Sequence, residues 1–131
     1  MERTEISDLG EFGLIRRMTK DLNHQQPSTL RGVGDDAAVL DPMSKRVVVT
    51  TDMLCEGVHF DLSYAPLKHL GYKAVVVNLS DVCAMNATPT QVVVGLGLSN
   101  RFSVEAVDEL MAGIRLACEA VAYTHLTLPT N

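Results

Sequence analysis

The run from Ser103 to Val121 restricts the fold more than any other part of the chain. Val104, Val107, Leu110 or Met111, Ile114, Ala117 or Cys118 and Val121 recur every three or four residues. That spacing places them on one face of an α-helix. Ser103 stands where an N-cap hydroxyl is wanted, and Glu105 and Asp108 follow in the first turn, where the helix dipole favours carboxylates. A stripe of this length is stable in water only when it is buried, so the remaining residues must supply a layer to cover it.

Two stretches read as strands. "KRVVVTTDML" is β-branched and bounded by turn residues; it puts Val47, Val49 and Thr51 on one face and Val48, Thr50 and Asp52 on the other. "TQVVVGLGLS" puts Val92, Val94, Leu96 and Leu98 on one face and the small Gly95 and Gly97 on the other, where something is expected to pack closely. "PLKHLGYKAVVVNLSDVCAMNA" carries both signals. Its length and the Pro66 start favour a helix, on which Asn78 and Asp81 share a face among apolar residues. A carboxylate so placed needs a partner, because an unpaired buried charge is costly. A further helix is expected from about Leu9 to Leu22, with Asp8 as N-cap and Glu11 three residues on. "NHQQPSTLRG" reads as a loop. Together these predict an α+β fold. "YTHLTLPTN" breaks the last helical stripe abruptly, so residues 1–121 are expected to form the domain and residues 122–131 a non-native tail of a truncated reading frame.

At 131 residues the chain is about one domain long, and a net charge of −5 without a basic run leaves nucleic acid and anionic membranes no electrostatic purchase. An anionic substrate would need a positive intermediary, and a divalent metal ion is the natural one. Three cysteines without a C-x-x-C pair point to a reducing compartment, the cytoplasm by default. No signal peptide or membrane span is visible.

Three acidic points stand out: Asp35 and Asp36 within "GVGDDAAVLD", Asp52 after Thr50 and Thr51, and Asp81 in "NLSD". Carboxylates with hydroxyls form the hard oxygen set that suits magnesium. Each also has a plainer reading: an Asx turn for Asp35 and Asp36, a solvated strand end for Asp52, and an exposed helix face for Asp81. His59 in "EGVHF" reads by itself as a hydrogen-bonded loop or core histidine, and Lys73 either reaches a phosphate or lies on a solvated helix face. No Walker motif is present, and Gly95-Leu-Gly97 lacks the third glycine of a dinucleotide fingerprint.

"LGEFGLI", "GVGDDAAVL", "VVTTDMLCEGVHF", "GYKAVVVNLSDVCAMNATP" and "GIRLACE" appear in an order and spacing that resembles the N-terminal domain of thiamine-monophosphate kinase. The resemblance covers roughly Leu9 to Glu119. It implies the fold of the aminoimidazole ribonucleotide synthetase and selenophosphate synthetase superfamily: a mixed or antiparallel sheet with packed helices, pairing across a homodimer. It implies transfer of a phosphoryl group from ATP to thiamine monophosphate with Mg²⁺. Carried over, Asp36, Thr50, Thr51, Asp52 and Asp81 become metal ligands, with Asp35 as a weaker one, His59 a substrate contact and Met111 a position near the nucleotide. Within the family a Gly-Gly-Asp segment and a second domain follow the "RLACE" helix, so the chain as written is expected to be inactive by itself. The alternatives are another ATP-dependent synthetase of the superfamily and a non-catalytic, dimerising remnant that binds metal or nucleotide.

Overall fold

The structure, a computed structural model, describes residues 3–22, 26–34, 37–121 and 125–127. Its elements run α1 (Ile6–Thr19), β1 (Thr29–Arg31), β2 (Val39–Leu40), α2 (Leu67–Ala84), β3 (Gln91–Val93), α3 (Val104–Ala120) and β4 (His125–Thr127). β1 and β2 pair antiparallel with an irregular register between Thr29 and Arg31, and β3 and β4 pair parallel. This is the expected α+β class.

α3 forms as its stripe requires. The Ser103 hydroxyl accepts from the Ala106 N–H at 3.2 Å, and Val104, Val107, Leu110, Met111, Ile114, Ala117 and Cys118 are all buried. Burial holds the Cys118 thiol well above its ordinary range, at about 11, with Glu119 adding to the effect. α2 covers α3 with Val75 and Leu79, and α1 adds Leu14 and Met18 to the same core.

The α2 and α3 backbones touch where they cross. A Cβ on Gly113 would lie 1.9 Å from the Lys68 carbonyl oxygen, and one on Gly71 would lie 2.1 Å from the Leu110 carbonyl oxygen. Each helix thus presents a glycine to the other's main chain, and no other residue fits at this separation.

α1 begins three residues earlier than the sequence suggests and ends at Thr19 rather than Leu22. Glu5 is its N-cap. Asp8 sits at the third helical position, where its carboxylate accepts from the Glu5 N–H at 3.2 Å. The helix kinks at Gly10, whose φ of 65° leaves helical geometry. The Thr4 carbonyl accepts from the Val104 N–H at 3.0 Å, Glu5 bridges to Ser103, and Arg17 of α1 grips Asp108 of α3 at 2.7 Å.

The expected strand over 45–54 is not formed among the described residues, because no neighbouring segment of the chain pairs with its backbone. Val47, Val48 and Val49 are 63%, 41% and 85% exposed, and only Thr50 among residues 47–52 is half-buried, toward α2. The strand begun at β3 stops pairing after Val93. Val92, Val94, Leu96 and Leu98 nonetheless keep packing on the core at every second position. The close neighbour expected at Gly95 and Gly97 is missing, since nothing among the described residues lies within 4 Å of a Cβ built there.

Candidate functional site

The segment from Thr50 to Phe60 crosses the exposed side of α2 and is fastened to it at two points. At one end the Thr50 hydroxyl donates to the Asp81 carboxylate at 3.3 Å. At the other, Lys73 Nζ donates to the His59 carbonyl at 3.0 Å. The helical positions run backwards relative to the segment, so the segment lies antiparallel to α2. Eight residues of helix separate the two fasteners, about 12 Å along the axis.

Local chemistry explains why the segment bends where it does. The Cys55 carbonyl accepts from the N–H groups of both Val58, at 3.2 Å, and His59, at 2.9 Å. Gly57 supplies the positive φ of 79° that closes the turn, and its N–H donates to the Phe60 carbonyl at 2.8 Å. The His59 ring folds back so that Nδ1 accepts from the Cys55 N–H at 3.0 Å. An accepting Nδ1 carries no proton, so the neutral ring bears its proton on Nε2. Asp61 then opens the next turn. Its carboxyl accepts from the Ser63 N–H at 2.8 Å, and its hydrogen bonds to Ser63 hold it below the usual carboxylate range.

Thr50 and Asp81 are in contact, and Thr51 and Asp52 follow Thr50 on the exposed side of the segment. Asp81 is exposed rather than hemmed in by apolar side chains, so its partner is not compensating burial. Asn78, on the same helix, donates from Nδ2 to the Ala74 carbonyl at 3.0 Å and turns back on its own helix. Met111 is not brought to this surface. It is 1% exposed within the core, where it fills space between helices and presents no face to a nucleotide. Asp35 and Asp36 lie outside the described residues; the segment that contains them connects β1 to β2. Among the described residues no group of three or more histidine, cysteine or acidic side chains is assembled to hold a metal ion.

Lys73 is the participant that sequence reasoning undervalued. Its spacing on α2 and the Gly57 turn before His59 were the available signals, and neither shows by itself that the ammonium meets the turn.

Residues 34–127 match the family model described as AIR synthase related protein, N-terminal domain. The chain is 40% identical over 114 residues to a thiamine-monophosphate kinase of Aquifex aeolicus, covering 87% of this chain and 35% of the relative. It is 40% identical over 116 residues to the kinase of the same name from Corynebacterium glutamicum, covering 87% and 33%. A crystal structure of thiamine monophosphate kinase from Aquifex aeolicus aligns with a TM-score of 0.56 at 29% identity, covering 95% of this chain and 40% of that one. The chain spans about a third of the length of the curated relatives it matches.

Proposed function

We propose, since this chain belongs to the AIR synthase related family of N-terminal domains, that it is the ATP- and Mg²⁺-binding part of a thiamine-monophosphate kinase. The reaction makes thiamine diphosphate and ADP. The observation that carries the reading is the contact of the Thr50 hydroxyl with the Asp81 carboxylate, which joins two motifs 31 residues apart on one exposed surface. Kinships to proteins named for that activity supply the substrate class.

The oxygen donors on this surface are hard and acidic, which fits magnesium better than a softer ion. Asp36, Thr50, Thr51, Asp52 and Asp81 would hold it, with Asp35 in a lesser role. When bound, Mg²⁺ neutralises phosphate charge so that two anionic substrates can share an acidic site. Thr50 orients the Asp81 carboxylate through its hydroxyl, and His59 contacts the thiamine phosphate. An oxygen of the monophosphate attacks the γ-phosphorus of ATP in line, and the bond from that phosphorus to the ADP oxygen breaks. The attacking oxygen is already ionised near neutral pH, so the chain needs no strong general base.

The surface is open. His59, Thr51, Asp52 and Asp81 are all exposed, so water is not excluded, and the 131-residue chain alone is expected to bind its substrates but to turn them over poorly. A second copy pairing with the unpartnered 45–54 segment would cover Val47, Val49 and Met53, which are 63%, 85% and 77% exposed. No helix among the described residues is long and apolar enough to cross a membrane. The three free thiols favour a cytoplasmic location.

Calorimetric titration of thiamine monophosphate into the chain, with MgATP or its non-hydrolysable analogue present, tests the reading. Saturable binding that is lost in Asp81→Asn is the expected result. No binding of thiamine monophosphate, or binding of an amidine or formyl substrate in its place, would overturn it in favour of another ATP-dependent synthetase.

A further inference from the structure

We propose that Lys73 is a positioning residue: by holding the carbonyl of His59 it locks the imidazole as a hydrogen-bond donor through Nε2. The substrate this donor meets rests on the function proposed above; the locking does not.

The argument begins with the turn. A five-residue loop that closes on the Cys55 carbonyl fixes the backbone of His59, but a histidine at an exposed turn ordinarily retains its side-chain freedom and both neutral tautomers. Here two further contacts remove that freedom. The Cys55 N–H reaches Nδ1 at 3.0 Å, which demands the Nε2–H tautomer, and it can do so only while residues 55–59 keep this geometry. Lys73 holds the far end of that geometry at 3.0 Å from α2, the best-packed face of which is buried against α3. An ammonium donating to a main-chain carbonyl forms a charge-assisted bond, stronger than a neutral one. The rigid helix thereby transmits its position to the ring, although Lys73 itself touches only the backbone.

The chemical consequence is directional. An Nε2–H donor suits a ligand that offers an acceptor oxygen, as a phosphate does. The other tautomer would turn a lone pair toward the same oxygen and repel it.

The test is ¹⁵N nuclear magnetic resonance of the His59 ring in the 131-residue chain, above pH 8, where an ordinary imidazole is neutral. Wild type should show a pyridine-type Nδ1 and a pyrrole-type Nε2. In Lys73→Met the ratio of tautomers should fall by about fivefold, the bias that one hydrogen bond of ordinary net strength supplies. Lys73→Arg, which keeps a cationic donor, should restore most of it, whereas a role confined to helix stability would leave the ring signals of both variants like those of wild type. An unchanged ratio in Lys73→Met, or a wild-type ring protonated on Nδ1, would overturn the proposal. Adding thiamine monophosphate to the wild-type sample separates the two readings. Movement of the Nε2 signal supports both, and its absence beside an intact tautomer result overturns the substrate assignment while the locking role stands.

Discussion

Replacing Gly113 by alanine probes the crossing on which the core depends. The new Cβ would stand 1.9 Å from the Lys68 carbonyl oxygen and 2.9 Å from the Tyr72 nitrogen, whereas ordinary contact begins at 3.4 Å. Both neighbours are helical backbone, so neither can rotate aside as a side chain would. The helices must separate by about 1.5 Å at this point, and a gap of that order forfeits well over half of the dispersion energy of the atoms it parts. Overpacking of this kind costs about 1–3 kcal/mol. Alanine returns about 1 kcal/mol through its better helix propensity. Because the obstruction is main chain, the clash belongs at the upper end of that range, about 3 kcal/mol, and leaves a net loss of about 2 kcal/mol. Urea unfolding followed by circular dichroism reads the change. With a slope of about 1–3 kcal/mol per molar, the midpoint should fall by about 1 M while the slope stays constant. Gly71→Ala should behave alike, and the double variant should lose less than the sum, since one separation relieves both clashes. A midpoint for Gly113→Ala that is unchanged or raised, as propensity alone predicts, would refute the close crossing.

Other expectations concern titration and thiols. Hydrogen bonds from Thr4, its side chain first and its backbone N–H at 3.2 Å as well, hold the Glu105 carboxyl at about 2 instead of the ordinary 4.5. A depressed folded value means that its stabilising contribution is complete above pH 4.5 and disappears as pH falls toward 2. The amide signal of Thr4 should accordingly shift through that window in wild type, and in Glu105→Gln it should not; an amide that ignores pH there in wild type would contradict the contact. Alkylation followed by peptide mass spectrometry should modify the exposed Cys83 well before the buried Cys118, whose thiol is held near 11. Equal rates in the native protein would show that the α3 face is not covered.

What could be read in advance was what a side chain's period determines. The α3 stripe predicted its buried face residue by residue, and the strand alternation from Val92 to Leu98 identified the core side even where no partner strand forms. Periodicity says which face is apolar but not what lies against it, so the 45–54 segment could be divided into faces and still be given a pairing that no described segment supplies. The start of α1 was misplaced because an aspartate serves equally as N-cap or, at the third helical position, as the partner of an N-cap, and only the backbone decides between them. Gly71 and Gly113 carry no apolar signal at all, although they set how closely the central helices approach. In the candidate site, residue type pointed to Thr50 and Asp81, and the family resemblance added His59. Neither could supply the through-space meeting of residues 14 or 31 apart, and the resemblance brought forward Met111, whose place on the α3 stripe already marked it as core.

The antiparallel lie of the 50–59 segment along α2 also has a mechanical side. Nine residue steps fully extended would reach about 30 Å, yet the fasteners at Lys73 and Asp81 are only about 12 Å apart along the helix. The excess contour is slack taken up by bends, the turn around Cys55 among them. A span with that much slack does not transmit tension, so releasing Thr50 from Asp81 need not pull His59 from Lys73. Residues inserted between Asp52 and Cys55 should lengthen the coil without moving either anchor.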